Sequence, residues 1–235
     1  MKIINILPWK LRNFFDSAHR KYALNKAMDK FLQNPEQCLD EESSLLNELF
    51  YGWGNEAWSA ENEYLLACIK KALTCNGPIL ECGSGLSTLL VGGIAKKRGI
   101  EHIVFEHIGQ WSKKVQRQLD KHKLNNTNIS NTPIKDYGNY SWYDISTVKS
   151  PENFALIVCD GPPSSIKGGR HGLIPLMKHN FSADCVILLD DADREQEHDI
   201  VKQWQKEMDM SMRVIGDSKP YFEIITASHS LPMPG

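Results

Sequence analysis

Three stretches of this sequence carry residue types that could do chemistry. The first is GPILECGSGLSTLL, residues 77–90: an apolar run with an acid at Glu81, then Gly83 and Gly85, then a helix-forming run. Glycines there let the backbone approach a ligand, and the helix N-terminus that follows offers N–H groups to it. The second is VFEH, where Glu106 and His107 follow the turn by about 20 residues, the separation expected of a ribose-binding acid in a βαβ unit. A carboxylate accepts hydrogen bonds and never donates them, so one matches two adjacent hydroxyls. The third is a pair: CDGPP puts Asp160 at the end of one apolar run, and LLDDADRE puts Asp190 and Asp191 at the end of another. Neighbouring parallel strands lie ~4.8 Å apart, so these carboxylates converge, and uncompensated they repel one another. A hard divalent cation such as Mg2+ relieves that repulsion through oxygen ligands. Arg170 or Arg194, acting as an internal counterion, relieves it equally well.

The glycine turn selects among nucleotides. A dinucleotide fingerprint, G-x-G-x-x-G, wants a third glycine where this chain has Thr88. Glu81 beside the turn repels a pyrophosphate and favours a cationic ligand. No G-x-x-x-x-G-K-[ST] stretch occurs, which removes a P-loop. An NAD-dependent oxidoreductase and a non-catalytic nucleoside-binding protein stay open as alternatives.

Glu-x-Gly-x-Gly-x-Ser, from Glu81 to Ser87, with Glu106 closing the next strand, resembles the class I S-adenosylmethionine-dependent methyltransferases over roughly residues 77–227. The resemblance implies that the loop of Glu81, Gly83, Gly85 and Ser87 passes the amino-acid part of S-adenosylmethionine, and that Glu106 takes both ribose hydroxyls. It implies that His107 and Asp136 lie near ribose and adenine, with Asp160 beside the cofactor; His107 is equally readable as a loop histidine. The acids also resemble those of the metal-dependent O-methyltransferases of the catechol and macrolide-sugar types. Carried over, the metal ligands are Asp160, Asp190 and Asp191, and the activity is O-methylation of a small hydroxylated molecule or sugar. Asp191 stands where the catechol type usually has Asn. DGPP is not the N/D-P-P-Y/F motif of nucleic-acid N-methylation. Such a site wants an acceptor oxygen held in line with the methyl group and a base to take its proton. Lys167 and His171 follow Asp160 closely enough to be candidates, and His171 has the better ordinary pKa. Trp53, Asn55 and Trp58, in YGWGNEAWSAENEY, are placed to cover the cofactor or to clamp helices onto the core; Trp142 and Tyr143 are placed to stack on a ligand or to fill the core.

The elements that must position these residues alternate strand and helix from residue 77 onward. PILEC, HIVFEH, TNISNTPIK, NFALIVCDG and DCVILLDD read as strands, STLLVGGIAKKRG, GQWSKKVQRQLDKHKL, GLIPLMKHNF and EQEHDIVKQWQKEM as helices, and MRVIGDS with YFEIITAS as a closing hairpin. Strands apolar throughout are covered on both faces. The pattern gives an α/β fold: a Rossmann-like, doubly wound, mostly parallel seven-stranded sheet with an antiparallel last strand, preceded by a helical segment. Ligands of such sheets bind beyond the C-terminal strand ends, where the acids stand. Residues 1–76 read as helical, with Ser59 or Asn62 available to cap the helix that leads into the first strand, and supply a cap, substrate or dimer contacts; 77–228 form the cofactor-binding domain, and 229–235 a loose tail.

Composition bounds the partners. Of 235 residues, 41% are hydrophobic, enough for a core, and the net charge of −2 gives no electrostatic reason to bind nucleic acid. A small-molecule acceptor is expected instead. Six cysteines without a C-x-x-C pair indicate neither zinc nor a disulfide framework and suit a reducing, cytoplasmic compartment. The opening residues, MKIINILPWKLRNFFDSAHRKYALNK, lack the features of a signal peptide. Their mixed basic and aromatic pattern is compatible with a helix on an anionic membrane surface, or with one that packs on the domain or on a second subunit as a homodimer.

Overall fold

The computed structural model describes residues 9–54 and 60–227. Helix α1 (Trp9–Gln33) buries Leu24, Ala27, Met28 and Phe31, a stripe spaced at three and four residues as helical periodicity requires. A 3₁₀ turn beginning at Pro35 leads to α2 (Leu45–Trp53), which crosses α1 so closely that a Cβ on Gly52 would stand 2.5 Å from the Leu24 nitrogen. Helix α3 (Asn62–Thr74) runs into the sheet; its N-cap is Glu61, so Asn62 is the first helical residue rather than the cap, and Ser59 lies outside the described residues.

Strands β1 (Ile79–Cys82), β2 (His102–Glu106) and β3 (Thr127–Asn131) alternate with α4 (Leu86–Arg98) and α5 (Gly109–Lys121). After a small ribbon of β4 (Ile134–Asp136) and β5 (Ser141–Tyr143) come β6 (Phe154–Cys159), α6 (Leu173–Met177), β7 (Phe181–Leu189), α7 (Glu195–Glu207), β8 (Met210–Ile215) and β9 (Tyr221–Thr226). The seven-stranded sheet has the order β3-β2-β1-β6-β7-β9-β8. Pairing is parallel from β3 to β7, and β9 runs antiparallel to both of its neighbours. The Rossmann-like sheet with an antiparallel last strand is therefore the observed one.

Two readings of local structure change. TNISNTPIK is not one strand: it divides into β3 and β4 around Thr132-Pro133, because proline has no N–H to continue the ladder, and β4 pairs with β5 outside the main sheet. GLIPLMKHNF is helical only over Leu173–Met177, then tightens into a 3₁₀ turn over Lys178–Asn180, and Phe181 already belongs to β7.

Alternate residues of the central strands feed two cores, as a pleated strand demands. Ile79, Leu156, Val158 and Leu188 face α1–α4, while Leu80, Cys82, Ile157 and Cys159 face α6, α7 and the β4–β5 ribbon. The chain leaves β1 in one direction toward β2 and β3 and returns to its other side as β6, so the switch point lies between β1 and β6, where Cys82 pairs in register with Cys159. Just past that pair lie Gly83 and Asp160.

Candidate functional site

The turn after β1 is built by contact with the turn after β6. Gly83 has φ +88°, which only glycine adopts freely, and a Cβ there would meet the Gly161 nitrogen at 3.2 Å. A Cβ on Gly161 would strike the Tyr143 Oη at 2.6 Å. Gly85 differs: among the described residues a Cβ there would meet nothing nearer than the Ser87 Oγ at 4.0 Å. Its missing side chain makes room for no packing contact among the described residues. Gly85 also opens α4, and its N–H donates to the Thr88 Oγ1 (2.9 Å).

Glu81 and Ser87, expected to face the ligand, face each other. Strand alternation turns Glu81 toward α4, where it is 1% exposed. Its Oε1 accepts from the Ser87 Oγ (2.6 Å) and the Thr88 Oγ1 (3.0 Å), and its Oε2 lies 3.0 Å from the His102 Nε2. The carboxylate thus pins the first turn of α4 to the strands below it. Thr88, where a dinucleotide fold has its third glycine, is a member of that pin.

Glu106 closes β2 beside the glycine turn. Its Oε2 accepts from the Ser84 Oγ (2.7 Å), its Oε1 from the Ile108 N–H (2.8 Å), and the His107 Nδ1 stands 3.4 Å away. The Trp111 indole N–H donates to the Ser84 carbonyl (2.7 Å). Trp53 packs edge-on against Trp111 at 5.9 Å, with the Lys114 ammonium over both rings. Trp53 therefore reaches the cradle through Trp111; Asn55 and Trp58 lie outside the described residues. Trp142 and Tyr143 are fully buried, and among the described residues the Tyr143 Oη has no hydrogen-bond partner. Asp136 is exposed at the end of β4, accepting from the Gly138 N–H (2.9 Å).

Asp160, Asp190 and Asp191 do converge: each offers a carboxylate oxygen within 4.8 Å of the others. Burial, then Asp191, pushes the Asp190 carboxyl up to about 6. Among these acids lies Arg170, whose Nη2 donates to the Asp191 Oδ2 (2.7 Å) and the Asp160 Oδ1 (3.2 Å). Burial would lower the guanidinium's pKa, but the Asp160 and Glu197 carboxylates around it raise it.

Lys167 and His171 are not brought to the acids. The Lys167 ammonium donates to the Gly138 carbonyl and faces Asp136 at 3.8 Å. The His171 ring stands edge-on to Tyr140 at 5.0 Å, and its Nε2 is 4.0 Å from Glu207; burial lowers its pKa. Adjacent residues Arg170 and His171 thus serve different neighbours. His171 lines a cavity of about 540 Å³ between the β4–β5 ribbon and α7, with Tyr140, Gln196, Asp199 and Gln203 and without any lysine or arginine.

Sequence reasoning missed Ser84, Trp111 and Glu197. Ser84 had a signal, lying between the two glycines; Trp111 and Glu197 had none, since their roles come from helices folding back on the site.

No protein-family model matches this sequence, and no curated protein matches it. Solved structures do. A methyltransferase from Geobacter sulfurreducens aligns with a TM-score of 0.57 at 9% identity, over 81% of this chain and 92% of the other. An O-methyltransferase from Bacillus cereus, in complex with SAH, aligns with a TM-score of 0.54 at 12% identity, over 83% and 96%. A ribosomal protein L11 methylase from Lactobacillus delbrueckii subsp. bulgaricus aligns with a TM-score of 0.52 at 13% identity, over 73% and 81%. The chain has the class I methyltransferase fold. Among the described residues no helix is long and apolar enough to cross a membrane.

Proposed function

We propose that this chain is an S-adenosylmethionine-dependent methyltransferase that acts on a hydroxyl of a small molecule. The observation that carries the reading is the pairing, at the C-terminal ends of the strands, of a glycine turn whose Gly85 is uncrowded among the described residues with Glu106, an acceptor at the end of β2. Glu106 would hold the ribose hydroxyls, and the start of α4, pinned by Glu81, would present N–H groups to the amino-acid end. When bound, the cofactor supplies a methyl group that is already electrophilic. The chain's part is to hold an acceptor oxygen near that methyl, keep water away and accept a proton.

The acceptor class rests on two features. The chain carries a net charge of −2, and the cavity at His171 is lined by amide, acid and aromatic side chains of the kind that hold neutral hydroxylated molecules. Specificity would reside in residues 1–76 and in residues 161–172, which run from the contact with Gly83 to that cavity. A dinucleotide reading is disfavoured by Thr88, which is committed to Glu81 and Gly85 and leaves no third glycine.

The test is calorimetric titration with S-adenosylhomocysteine, then transfer of labelled methyl from S-adenosylmethionine to a panel of phenols, catechols and methyl glycosides. Binding with labelled product from any of these supports the reading. Binding with product only from RNA or protein removes the small-molecule acceptor.

A further inference from the structure

Three carboxylates meeting at two strand ends need a cation. We propose that Arg170 is the permanent cation of this centre, standing where a divalent metal would stand, so that Asp160, Asp190 and Asp191 are assembled without metal. The Arg170 side chain is 2% exposed. Its Nη2 donates to the Asp160 carbonyl (2.9 Å) as well as to the Asp160 and Asp191 carboxylates, and its Nη1 donates to the Asp190 carbonyl (2.9 Å) and faces the Glu197 Oε1 at 3.2 Å. One guanidinium therefore joins the end of β6, the end of β7 and the first turn of α7. A planar, permanently charged, weakly hydrated fork suits this burial better than an ammonium group would.

The remaining contacts leave Asp191 no free oxygen for a metal. The Arg194 Nη2 takes the other Asp191 oxygen at 2.8 Å, so both Asp191 oxygens and one of Asp160's already receive donors. A divalent ion ligated by the same three acids would share those oxygens and set a second cation against a buried guanidinium, which is repulsive at short range. Glu197 points the same way. It is fully buried, its Oε1 faces the Arg170 Nη1 at 3.2 Å, and it accepts from the Ser164 Oγ at 2.9 Å. A metal centre gives such an acid no task, whereas a resident arginine does: Glu197 and Ser164 fix the guanidinium and, with it, the course of residues 161–172. Arg170 is thus a positioning residue that acts through the acids.

Metal uptake can be read without donor or acceptor, so the result does not depend on methyl transfer. The whole chain is titrated with Mn2+, followed by electron paramagnetic resonance of the free ion and by thermal melting. Wild type is expected to leave the free-ion signal and its own melting temperature unchanged, and its affinity for S-adenosylhomocysteine is expected to be the same with and without chelator. Arg170→Ala removes the cation and keeps the acids; it is expected to melt lower, to take up Mn2+ and to regain melting temperature with it. If this variant does not fold unaided, refolding in Mn2+ is the readout. Saturable one-to-one uptake of Mn2+ by wild type, abolished by Asp190→Asn, overturns the proposal. So does an Arg170→Ala variant on which Mn2+ has no effect.

Discussion

At the scale of single residues, the site is governed by which polar atoms already have partners. Glu106 has one oxygen on Ser84 and the other on the Ile108 N–H, so a diol competes with a hydroxyl that can rotate away. Ser84→Ala is expected to leave S-adenosylhomocysteine affinity intact or improve it a few-fold, while Glu106→Gln lowers it by at least about tenfold, the scale of a charge-assisted hydrogen bond; titration calorimetry on the two variants reads both. The Tyr143 hydroxyl is buried without a partner among the described residues, and a Gly161 Cβ would press on it at 2.6 Å. Gly161→Ala is therefore expected to cost about 1–3 kcal/mol by overpacking, with Tyr143→Phe restoring part of it in the double variant, as denaturant melts would show. His171 titrates in the opposite sense to a salt-bridged histidine. Burial lowers its folded pKa below the 6.5 of the unfolded chain, so the unfolded state binds more protons and stability falls as pH drops below about 6.5. His171→Gln should flatten that slope in melting temperature against pH.

The elements explain what the sequence disclosed and what it withheld. The strands β1, β2, β6 and β7 were legible because continuous apolar runs have one physical use in an alternating α/β pattern. Glu106, Asp160, Asp190 and Asp191 were legible as a consequence, since strand ends locate them. Glu81 lies near the end of β1 as expected, but its carboxylate is engaged by Ser87, Thr88 and His102, partners that only the packing of α4 on β1 and β2 supplies. Lys167 and His171 were placed by proximity in sequence to Asp160, but the loop after β6 carries them to the β4–β5 ribbon and α7. That ribbon was itself unreadable: three-residue strands carry too little periodicity to register. At this scale the α1–α2 crossing makes a sharp prediction. Gly52→Val, with backbone of α1 where its side chain must go, should lower the melting temperature more than Phe31→Ala, a cavity substitution expected to cost about 3–5 kcal/mol.

For the whole molecule, the N-terminal helices and the sheet share one core: Leu24, Phe31, Leu49, Tyr64, Leu90 and Leu188 form a continuous buried cluster. A ligand at the switch point is therefore expected to stabilise the chain as a unit. At about a hundredfold excess over its dissociation constant it should add about 2.7 kcal/mol, several degrees in melting temperature for a chain of this size. The fold limits what can bind there, but the chemistry of the turn decides it: a glycine pair with a threonine in third place, and an acid across from it. The direct measurement is titration of the intact chain with S-adenosylhomocysteine and with NAD, repeated on Glu106→Lys. The account predicts one S-adenosylhomocysteine bound per chain, no heat from NAD, and loss of binding in the variant. Binding of NAD in place of S-adenosylhomocysteine, or equal affinity in Glu106→Lys, would contradict it.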